Sequence, residues 1–303
     1  MGYEKDILVS VIMSVYKESP DILDQAIQSI VNQTYSNIEF IIVLDNPENR
    51  AALELINSYK EMYRIVLVEN ETNIGLVNSL NRALGYCSGE YIARMDADDI
   101  SALNRIELEM DLVKREGFDM VGTSIEIFTD IEKAGEIRKC PVSNKGVRRY
   151  IICDNCVKHP TWLVKRIVYK KLGGYRDIPT CEDYDFIVRA AMSGYKIGNC
   201  PEVGLRYRHN QSSISRSNSE KQYLGFRYLG KCYLKHYIPS EEEYKEYVES
   251  SDARKMLKHI HDYQQLKNNF LRNKKMSCSI LKLIYNPVFY YELFCKVMYK
   301  IYC

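Results

Sequence analysis

The chain has 303 residues, of which 46% are hydrophobic, 27% charged and 11% aromatic, and its formal net charge is only +2. This composition excludes collagen-like and intrinsically disordered chains, which need far more Gly and Pro or far fewer apolar residues. A chain of this length can bury an ample core without disulfide bonds. Since residues 2–6 are polar and no apolar signal segment precedes the first strand-like run, we expect the ten cysteines to be reduced thiols of a cytoplasmic protein.

Charge is distributed unevenly along the chain. Residues 267–303 hold seven Lys or Arg and one acid, Glu292, so this segment carries +6 and residues 1–266 carry −4. A nucleic-acid-binding protein would have its basic face within the folded body. We therefore expect no nucleic-acid partner.

Residues 276–303 form a basic amphipathic tail, in which apolar residues are interspersed with lysines. The tail holds no uncharged run near eighteen residues, which argues against a transmembrane helix. Two interpretations stay open. The apolar residues pack on the parent domain, or the tail lies on an anionic membrane surface and makes the protein peripheral on the inner face of the cell membrane.

Strands and helices are predicted to alternate over the first hundred residues. Short β-branched runs indicate buried strands, and apolar residues at helical spacing indicate the helices between them. In chain order these elements are a strand at 8–15, a helix from Ser19-Pro20, a strand at 38–44, a helix within 50–63, a strand at 65–69, a helix at 75–87 and a strand at 91–95. Such an order predicts right-handed βαβ units and a Rossmann-like α/β fold, with a mostly parallel central sheet flanked by helices.

The alternation loosens after residue 118. The predicted elements there are a strand at 120–128, a short apolar piece at 162–164, a helix at 184–192 and strands at 195–199 and 203–208. From Ser219 onward the chain is rich in Tyr, Lys and Glu and is predicted to be helical.

Polar residues follow each of the first four predicted strands, where ligands of parallel α/β sheets bind. These strand ends carry Tyr16-Lys17-Glu18, Asp45-Asn46, Asn73-Ile74-Gly75 and Asp96-Ala97-Asp98-Asp99. The glycine-rich loops that cradle dinucleotides or NTP phosphates are missing from the sequence.

The last of these ends places three carboxylates within four residues, which indicates a divalent cation. Hard oxygen ligands favour Mg²⁺ or Mn²⁺, which bridge to a substrate diphosphate. The alternative is that one Asp caps a helix starting near Ser101 and the others are solvated.

Eight short motifs occur in an order that resembles the family 2 glycosyltransferases with the GT-A fold, particularly bacterial enzymes that build capsular or other surface polysaccharide. They are Val11-Ile12-Met13-Ser14-Val15-Tyr16, Asp45, Asn73-Ile74-Gly75, Asp96-Ala97-Asp98-Asp99, His159-Pro160-Thr161, Gly173-Gly174-Tyr175, Cys181-Glu182-Asp183-Tyr184-Asp185, and Tyr207-Arg208-His209 with Ser213-Ile214-Ser215. The resemblance covers about residues 8–215. It implies a GT-A domain over 1–216, with a nucleotide-sugar half to about 118 and an acceptor half from about 119, followed by a helical C-terminal extension over 217–303.

The resemblance implies a nucleotide site formed by the ends of the first four strands. Its residues would be Tyr16, Glu18, Asp45, Asn73 and Asp96. Tyr16 would stack on the base, Asp45 would accept a hydrogen bond from the uracil imide, and Asp96 would contact the donor ribose. The segment 46–49 departs from the family, which often has a second acid and a Gly-Ser run there.

The resemblance also implies a metal site and a catalytic base. Asp98 would hold the metal, and Asp99 would support it or contact it through water. The resemblance also implies that His209 would approach the metal or the diphosphate. Arg208 could supply positive charge to phosphate.

Asp183 would be the base that deprotonates the acceptor hydroxyl, with Glu182 assisting acceptor or sugar binding. The alternative is that these two acids only complement the dipole of the helix that they begin.

Together these roles imply an inverting glycosyltransferase that depends on Mn²⁺ or Mg²⁺. It would transfer a hexose or N-acetylhexosamine from a UDP-sugar to a hydroxyl of a glycan acceptor, linked to polyprenyl diphosphate, in the biosynthesis of capsule, O-antigen or exopolysaccharide. Two other hypotheses stay open. A nucleotidyltransferase that makes sugar nucleotides should have a Gly-rich basic loop after the first strand, and residues 14–18 contain no glycine. An inactive glycan-binding scaffold should have lost acids, whereas Asp98 and Asp183 are both present.

Overall fold

The structure is a computed structural model that describes residues 7–129, 133–209, 218–273 and 283–303. Three parts of the sequence-based predictions lie outside the described residues. They are the motif at 213–215, the domain boundary at 216 and 217, and the first part of the tail, 276–282.

The described strands form one mixed sheet. They are β1 (Val9–Val15), β2 (Ile38–Leu44), β3 (Ile65–Glu69), β4 (Tyr91–Asp96), β5 (Ile100–Ser101), β6 (Met120–Phe128), β7 (Glu136–Arg138), β8 (Leu163–Lys165) and β9 (Ile197–Arg208). The order across the sheet is β3-β2-β1-β4-β8-β6-β9-β5, and β7 pairs with β6. Parallel pairing joins β1 to β2 and β4, β2 to β3, and β6 to β9, while β8 is antiparallel to β4 and β6.

Helices flank this sheet and continue beyond it toward the C-terminus. They are α1 (Pro20–Val31), α2 (Arg50–Lys60), α3 (Leu76–Leu84), α4 (Arg105–Glu116), α5 (Asn144–Tyr150), α6 (Arg166–Leu172), α7 (Glu182–Met192), α8 (Ser219–Leu234), α9 (Glu241–Glu249), α10 (Ser251–Asn273) and α11 (Pro287–Tyr302). The mostly parallel sheet with helices around it confirms the predicted α/β class.

The first strand is buried on both faces of the sheet. Val11 and Met13 belong to the apolar cluster that includes Ile27 of α1, whereas Ile12 belongs to the cluster that includes Leu80 of α3. Because both faces are covered, the strand reads as a continuous apolar run. Since β1, β2, β3 and β4 are parallel, their carboxyl ends meet at one edge of the sheet.

The strand β9 differs from the sequence-based prediction. β9 is one strand where two strands were predicted, because a bulge opposite Ser124 takes up Pro201 and Glu202 without breaking the pairing with β6. Proline cannot donate to a sheet ladder and is therefore tolerated at such a bulge.

No helix begins near Ser101, which lies in β5, so the interpretation of the acidic turn as a helix cap with solvated neighbours is wrong. α4 begins only at Arg105, and Asp99 is fully buried.

The described C-terminal helices pack against the sheet-bearing part of the chain. Leu229 of α8 and Tyr244 of α9 are buried in the same cluster as Ile12, and Met298 and Tyr299 of α11 pack against that cluster. One face of the described tail therefore packs on the body, as the first of the two interpretations predicted. Within the described ranges, no helix is both long and apolar enough to cross a bilayer.

Candidate active site

A cleft of about 1780 Å³ opens at the carboxyl ends of β1, β2 and β4 and extends to the C-terminal helices. Eight of the eleven predicted site residues line it: Tyr16, Glu18, Asp45, Asn73, Asp96, Asp98, Glu182 and Asp183. Asp99, Arg208 and His209 stand outside its lining. The fold thus brings together residues that are up to 167 positions apart in the chain, from Tyr16 to Asp183.

Asp45 fixes the loop that follows β3. Its Oδ1 accepts hydrogen bonds from Nδ2 of Asn70 (2.7 Å) and the main-chain N–H of Ile74 (2.9 Å), and its Oδ2 accepts one from the N–H of Gly75 (2.9 Å). Gly75 adopts φ +83°, a left-handed conformation that favours glycine. Oδ1 of Asn73 accepts from the same N–H at 2.9 Å. Asp45 therefore shapes the wall of the cleft, and its contact with a uracil ring stays a prediction.

Tyr16 is held at the tip of β1 by the segment in which the sequence departs from the family pattern. Nδ2 of Asn46 and Nδ2 of Asn49 each donate to the carbonyl oxygen of Tyr16 at 3.2 Å. The Lys17 ammonium lies 4.8 Å from the centroid of the Tyr16 ring. The two asparagines thus orient the aromatic residue that is predicted to stack on a base.

Glu18 closes this end of the cleft. Its Oε2 accepts a hydrogen bond from the N–H of Tyr16 at 2.7 Å. Burial raises the pKa of Glu18 above its ordinary value, and the charge of Asp96 raises it further.

The acidic turn after β4 holds three carboxylates close together, of which Asp96 and Asp98 are partly buried and Asp99 is buried. Burial raises the pKa of Asp98 to about 7, with further contributions from Asp96 and Glu18. Burial, followed by Asp96 and Asp98, also holds the pKa of Asp99 well above its ordinary value. Oδ2 of Asp99 is buried and has no hydrogen-bond partner among the described residues. Such a cluster favours either protons or a bound cation.

Two arginines hold this acidic turn in place. Arg94, itself buried on β4, forms an ion pair with Asp96. Arg208 donates from its main-chain N–H to Oδ1 of Asp99 (2.8 Å) and from Nε to the carbonyl oxygen of Asp98 (2.7 Å). Its Nη2 donates to Oε1 of Gln25 at 2.8 Å. Arg208 is thus a positioning residue of the turn, and its contact with phosphate stays a prediction.

The donor set of this turn fits a magnesium or manganese ion that shares its coordination with a substrate. Such ions bind through one or two carboxylates plus substrate phosphates, and they need no cage built wholly of protein ligands. The described residues contain no group of three or more His, Cys, Asp or Glu arranged as a metal site. Asp98 and Asp96, which line the cleft, would hold the ion. His209 lies outside the cleft lining, with its main-chain N–H bonded to the carbonyl oxygen of Phe128 at 2.8 Å.

A second pair of acids lies in the first turn of α7. Oδ1 of Asp183 accepts from the N–H of Tyr184 (2.6 Å), and its Oδ2 accepts from Nδ2 of Asn155 (2.5 Å). Burial raises the pKa of Asp183 to about 6 although these two donors lower it, and burial raises the pKa of Glu182 to about 7. Thr180, three residues before Asp183, has φ +67°, a strained conformation for a β-branched residue.

Asp185 of the same motif and residues of two other motifs support α7. Asp185 is buried and forms ion pairs with Arg176 and with Nε of Arg189 (2.7 Å). Nη2 of Arg189 donates to the carbonyl oxygen of Gly174 at 2.9 Å. His159 is buried, with Nε2 2.9 Å from the hydroxyl of Tyr175, and burial holds its pKa well below its ordinary value. These residues therefore hold α7, which carries Asp183 in its first turn, in place.

Two contributors to the site were missed in the sequence. Arg94 could have been noticed, because it interrupts the apolar run of β4 two residues before Asp96 and so points to the same face of the strand. Asn155 gave no signal, since it lies 28 positions from Asp183 in a stretch without periodicity.

The model of glycosyl transferase family 2 matches residues 10–173, from β1 to the end of α6. The chain belongs to this family. The match includes the strand ends that line the cleft and the acidic turn, whereas Asp183 lies beyond the matched residues. Family membership favours glycosyl transfer over the synthesis of sugar nucleotides.

Two relatives illustrate the similarity in sequence. Over 224 residues the chain is 34% identical to an uncharacterized glycosyltransferase of Methanocaldococcus jannaschii, covering 71% of this chain and 76% of that protein. Over 215 residues it is 28% identical to the Escherichia coli UDP-Gal:α-D-GlcNAc-diphosphoundecaprenol β-1,3-galactosyltransferase, covering 70% of this chain and 78% of that protein.

Two solved structures illustrate the similarity in fold. S. aureus TarS in complex with UDP-GlcNAc has a TM-score of 0.62 at 15% identity, over 89% of this chain and 77% of that chain. The mannosyltransferase PcManGT of Pyrobaculum calidifontis, in complex with GDP-Man and Mn²⁺, has a TM-score of 0.60 at 16% identity, over 97% of this chain and 85% of that chain. The chain has the GT-A fold, as predicted.

Proposed function

We propose that the protein is an inverting, metal-dependent glycosyltransferase that moves a hexose or N-acetylhexosamine from a UDP-sugar to a hydroxyl of a glycan acceptor linked to polyprenyl diphosphate. The observation that carries the proposal is that two separate groups of partly buried carboxylates face one cleft. Asp96 and Asp98 stand at the strand ends where a nucleotide binds, and Glu182 and Asp183 stand on the opposite helix. The first group is suited to bind a cation that contacts the leaving diphosphate, and the second is suited to accept the proton of the acceptor hydroxyl.

The donor is proposed to lie with its base near Tyr16 and Asp45 and its diphosphate near the acidic turn. A Mn²⁺ or Mg²⁺ ion held by Asp96 and Asp98 would neutralise the charge that develops on the departing diphosphate. Arg94 keeps Asp96 oriented, and Arg208 holds the backbone of Asp98.

Asp183 is proposed to take the proton from the acceptor hydroxyl. A carboxylate whose pKa is raised to about 6 is ionised at neutral pH and is a stronger base than an ordinary aspartate. The hydroxyl oxygen bonds to the anomeric carbon as the bond to the diphosphate breaks, and the proton goes to Asp183. A single displacement inverts the configuration, so an α-linked donor yields a β-linked product.

Relatives support the choice of substrates. The named Escherichia coli relative takes UDP-Gal and an acceptor on diphosphoundecaprenol, and TarS binds UDP-GlcNAc. PcManGT binds GDP-Man, so GDP is the competing nucleotide that an experiment must exclude.

Calorimetric titration of UDP and of GDP into the full chain, with and without Mn²⁺, tests the nucleotide and the metal together. We expect UDP to bind much more tightly with Mn²⁺ than without it, and more tightly than GDP. Tighter binding of GDP would overturn the UDP assignment, and equal binding without Mn²⁺ would overturn the metal dependence. Incubation with UDP-Gal or UDP-GlcNAc and a lipid-linked glycan then separates an enzyme from an inactive scaffold, because the scaffold releases no UDP.

The outer face of α11 is proposed to lie on an anionic membrane surface. An exposed apolar stripe follows this face at helical spacing, and each member is between 43% and 62% exposed: Tyr290, Leu293, Phe294, Val297 and Ile301. Lys296 and Lys300 are exposed beside it. A helix with an apolar face and flanking lysines is the type that binds in the plane of a membrane interface.

Sedimentation with phosphatidylglycerol vesicles tests this placement. We expect the Leu293→Ser, Val297→Ser double variant to bind the vesicles about tenfold more weakly, since two apolar side chains no longer insert. The control is the Met62→Ser, Leu234→Ser double variant, which removes two exposed apolar side chains elsewhere, 70% and 62% exposed. Equal loss in both variants, or no loss in the first, would contradict the membrane role of α11.

A further inference from the structure

The end of the cleft formed by α11 differs in charge from the end formed by the strands. Lys296 and Lys300 of α11 and Lys139, which follows β7, line the cleft and are exposed. Within the described ranges, none of these three ammonium groups lies in a salt bridge. The cleft therefore carries uncompensated positive charge at this end, whereas at the acidic turn Asp96 is paired with Arg94 and Asp98 lies in no salt bridge within the described ranges.

The carboxylates that share this end of the cleft already have cationic partners. Oε2 of Glu292 lies 3.0 Å from Nζ of Lys267 and accepts from the hydroxyl of Tyr263 at 3.1 Å. Oδ2 of Asp154 lies 3.5 Å from Nζ of Lys158. The lysines of α11 are thus not neutralised by the acids next to them.

Contacts of α11 connect these lysines to the proposed base through one short loop. The Tyr291 hydroxyl donates to the carbonyl oxygen of Ile152 (2.7 Å), and Sγ of Cys295 lies 3.9 Å from the carbonyl oxygen of Cys153. Asn155, in the same loop, holds Asp183 at 2.5 Å. On the other side, the Tyr299 hydroxyl accepts from the N–H of Lys139 at 3.2 Å, which brings that lysine next to α11.

We infer that Lys139, Lys296 and Lys300 form a binding site for the diphosphate of the acceptor, apart from the site for the diphosphate of the donor. The inference rests on the proposed function, since a lipid-linked acceptor brings a second diphosphate into the reaction. The acidic turn repels an anion unless a cation is bound there, so the second diphosphate needs cationic side chains of its own. The three lysines supply them within the same cleft as Asp183.

The position of the lysines on α11 fits a ligand that ends in a membrane. On the helix, Lys296 and Lys300 stand between the cleft and the exposed stripe at 290–301, which is about 16 Å long. With the stripe at the bilayer surface, both ammonium groups lie at the level of the lipid head groups, where the diphosphate of a polyprenyl-linked acceptor also lies. The isoprenoid chain then continues along the stripe into the bilayer.

Farnesyl diphosphate is the probe that tests this site, because it carries the isoprenoid diphosphate without a sugar. It is titrated calorimetrically, with EDTA present to exclude metal, into the full chain and into the Lys296→Gln, Lys300→Gln double variant. Glutamine removes the charge and keeps much of the side-chain length. We expect the double variant to bind about tenfold more weakly or worse, because two charge-assisted contacts are lost.

The matched control is the Lys255→Gln, Lys258→Gln double variant, which removes two exposed lysines of α10 outside the lining of the cleft. Its affinity for farnesyl diphosphate should stay within about twofold of the wild type. Failure of the wild type to bind, or equal affinity of the wild type and the Lys296→Gln, Lys300→Gln variant, would overturn the inference. Inorganic pyrophosphate that binds as tightly as farnesyl diphosphate would identify a free-diphosphate site and would also overturn it.

Titration of UDP with Mn²⁺ into the same three proteins keeps the two proposals apart. Unchanged UDP binding in the Lys296→Gln, Lys300→Gln variant, together with weakened farnesyl diphosphate binding, supports two separate diphosphate sites. Normal UDP binding with no effect on farnesyl diphosphate overturns the acceptor site alone. If the wild type does not bind UDP with Mn²⁺, the result counts against the proposed function itself.

Discussion

Asp98 and Asp99 of the acidic turn and Asp183 of α7 all have raised pKa values, but their neighbours differ. Asp98 and Asp99 are surrounded by other acids, and one buried oxygen of Asp99 has no hydrogen-bond partner among the described residues. Asp183 accepts hydrogen bonds from Asn155 and from the N–H of Tyr184 at the start of a helix. Burial raises the pKa in both places, and we propose that only the first group also gains from a cation.

The donors around Asp183 stabilise its charged form and limit the effect of burial. At neutral pH this carboxylate is therefore ionised without help from a metal and is ready to accept a proton. One buried oxygen of Asp99 in the acidic turn has no such donor among the described residues, and we propose that a cation stabilises the charged form of this turn. Substitutions that separate proton acceptance from cation binding test this comparison.

The largest effect is expected from Asp183→Asn. The amide keeps the shape of the side chain but cannot take the proton of the acceptor, so we expect transfer to fall by about 100-fold to 10,000-fold. UDP affinity with Mn²⁺, measured by calorimetry, should stay unchanged. Asp252→Asn, at an exposed site on α10, is the control and should have wild-type rates. Near-normal turnover of the Asp183→Asn variant would remove Asp183 from the role of base.

Asp98→Asn should separate metal binding from folding. We expect the affinity for UDP with Mn²⁺ to fall by about tenfold to 100-fold, while the affinity for UDP without metal stays the same. The unfolding temperature of the metal-free variant should rise at pH 8, because a carboxylate with a pKa of about 7 is ionised and repelled by its neighbours at that pH.

The sign of this stability change follows from the direction of the pKa shift. A carboxyl group whose pKa is raised on folding stabilises the folded state at low pH, and this contribution is lost as the pH rises through about 7. The gain from Asp98→Asn should therefore be largest above pH 7 and shrink below it. A variant that is less stable than the wild type at pH 8 would show that repulsion does not dominate the acidic turn.

The parts of the site that local patterns encode could be predicted from the sequence. β1 and β4 are short apolar runs, and since parallel strands end at one edge, the acids after them were expected to meet. Asn155 and Arg208 could not be assigned their contacts, because each touches a residue far away in the chain, at 28 and 109 positions. Such contacts depend on tertiary packing, which no periodicity reports. The packing of α11 against the loop at 152–155 could not be predicted from the sequence for the same reason.

A smaller effect is expected from substitutions of Arg208, which distinguish its role in positioning the acidic turn from a role of its charge. Arg208→Lys keeps the positive charge but loses the directed bonds from Nε to Asp98 and from Nη2 to Gln25. We expect the UDP affinity with Mn²⁺ to fall about fivefold in Arg208→Lys and by a similar factor in Arg208→Gln, since both lose the same bonds. If lysine restores the affinity and glutamine does not, Arg208 acts through its charge on phosphate and not by holding the turn.

The smallest effect is expected from Asn155→Ala, read from the pH dependence of transfer. The wild-type rate should fall as the pH drops below about 6, because protonated Asp183 cannot act as a base. Without the donor from Asn155, the charged form of Asp183 loses a stabilising hydrogen bond. The acid limb of the pH–rate profile, which is the pH range where the rate falls, should therefore move upward by about one pH unit. The rate at pH 8.5, where Asp183 is ionised in both proteins, should change by only about threefold.

This shift would distinguish a donor that tunes the base from a residue that only shapes the loop. Asn269→Ala, at an exposed position of α10, should leave the acid limb in place. A loss of rate in Asn155→Ala that is equal at every pH would mean that the side chain positions the loop without affecting the proton affinity of Asp183. A limb that moves upward instead ties the ionisation of Asp183 directly to the transfer step, which no change at the acidic turn could mimic without also weakening UDP binding.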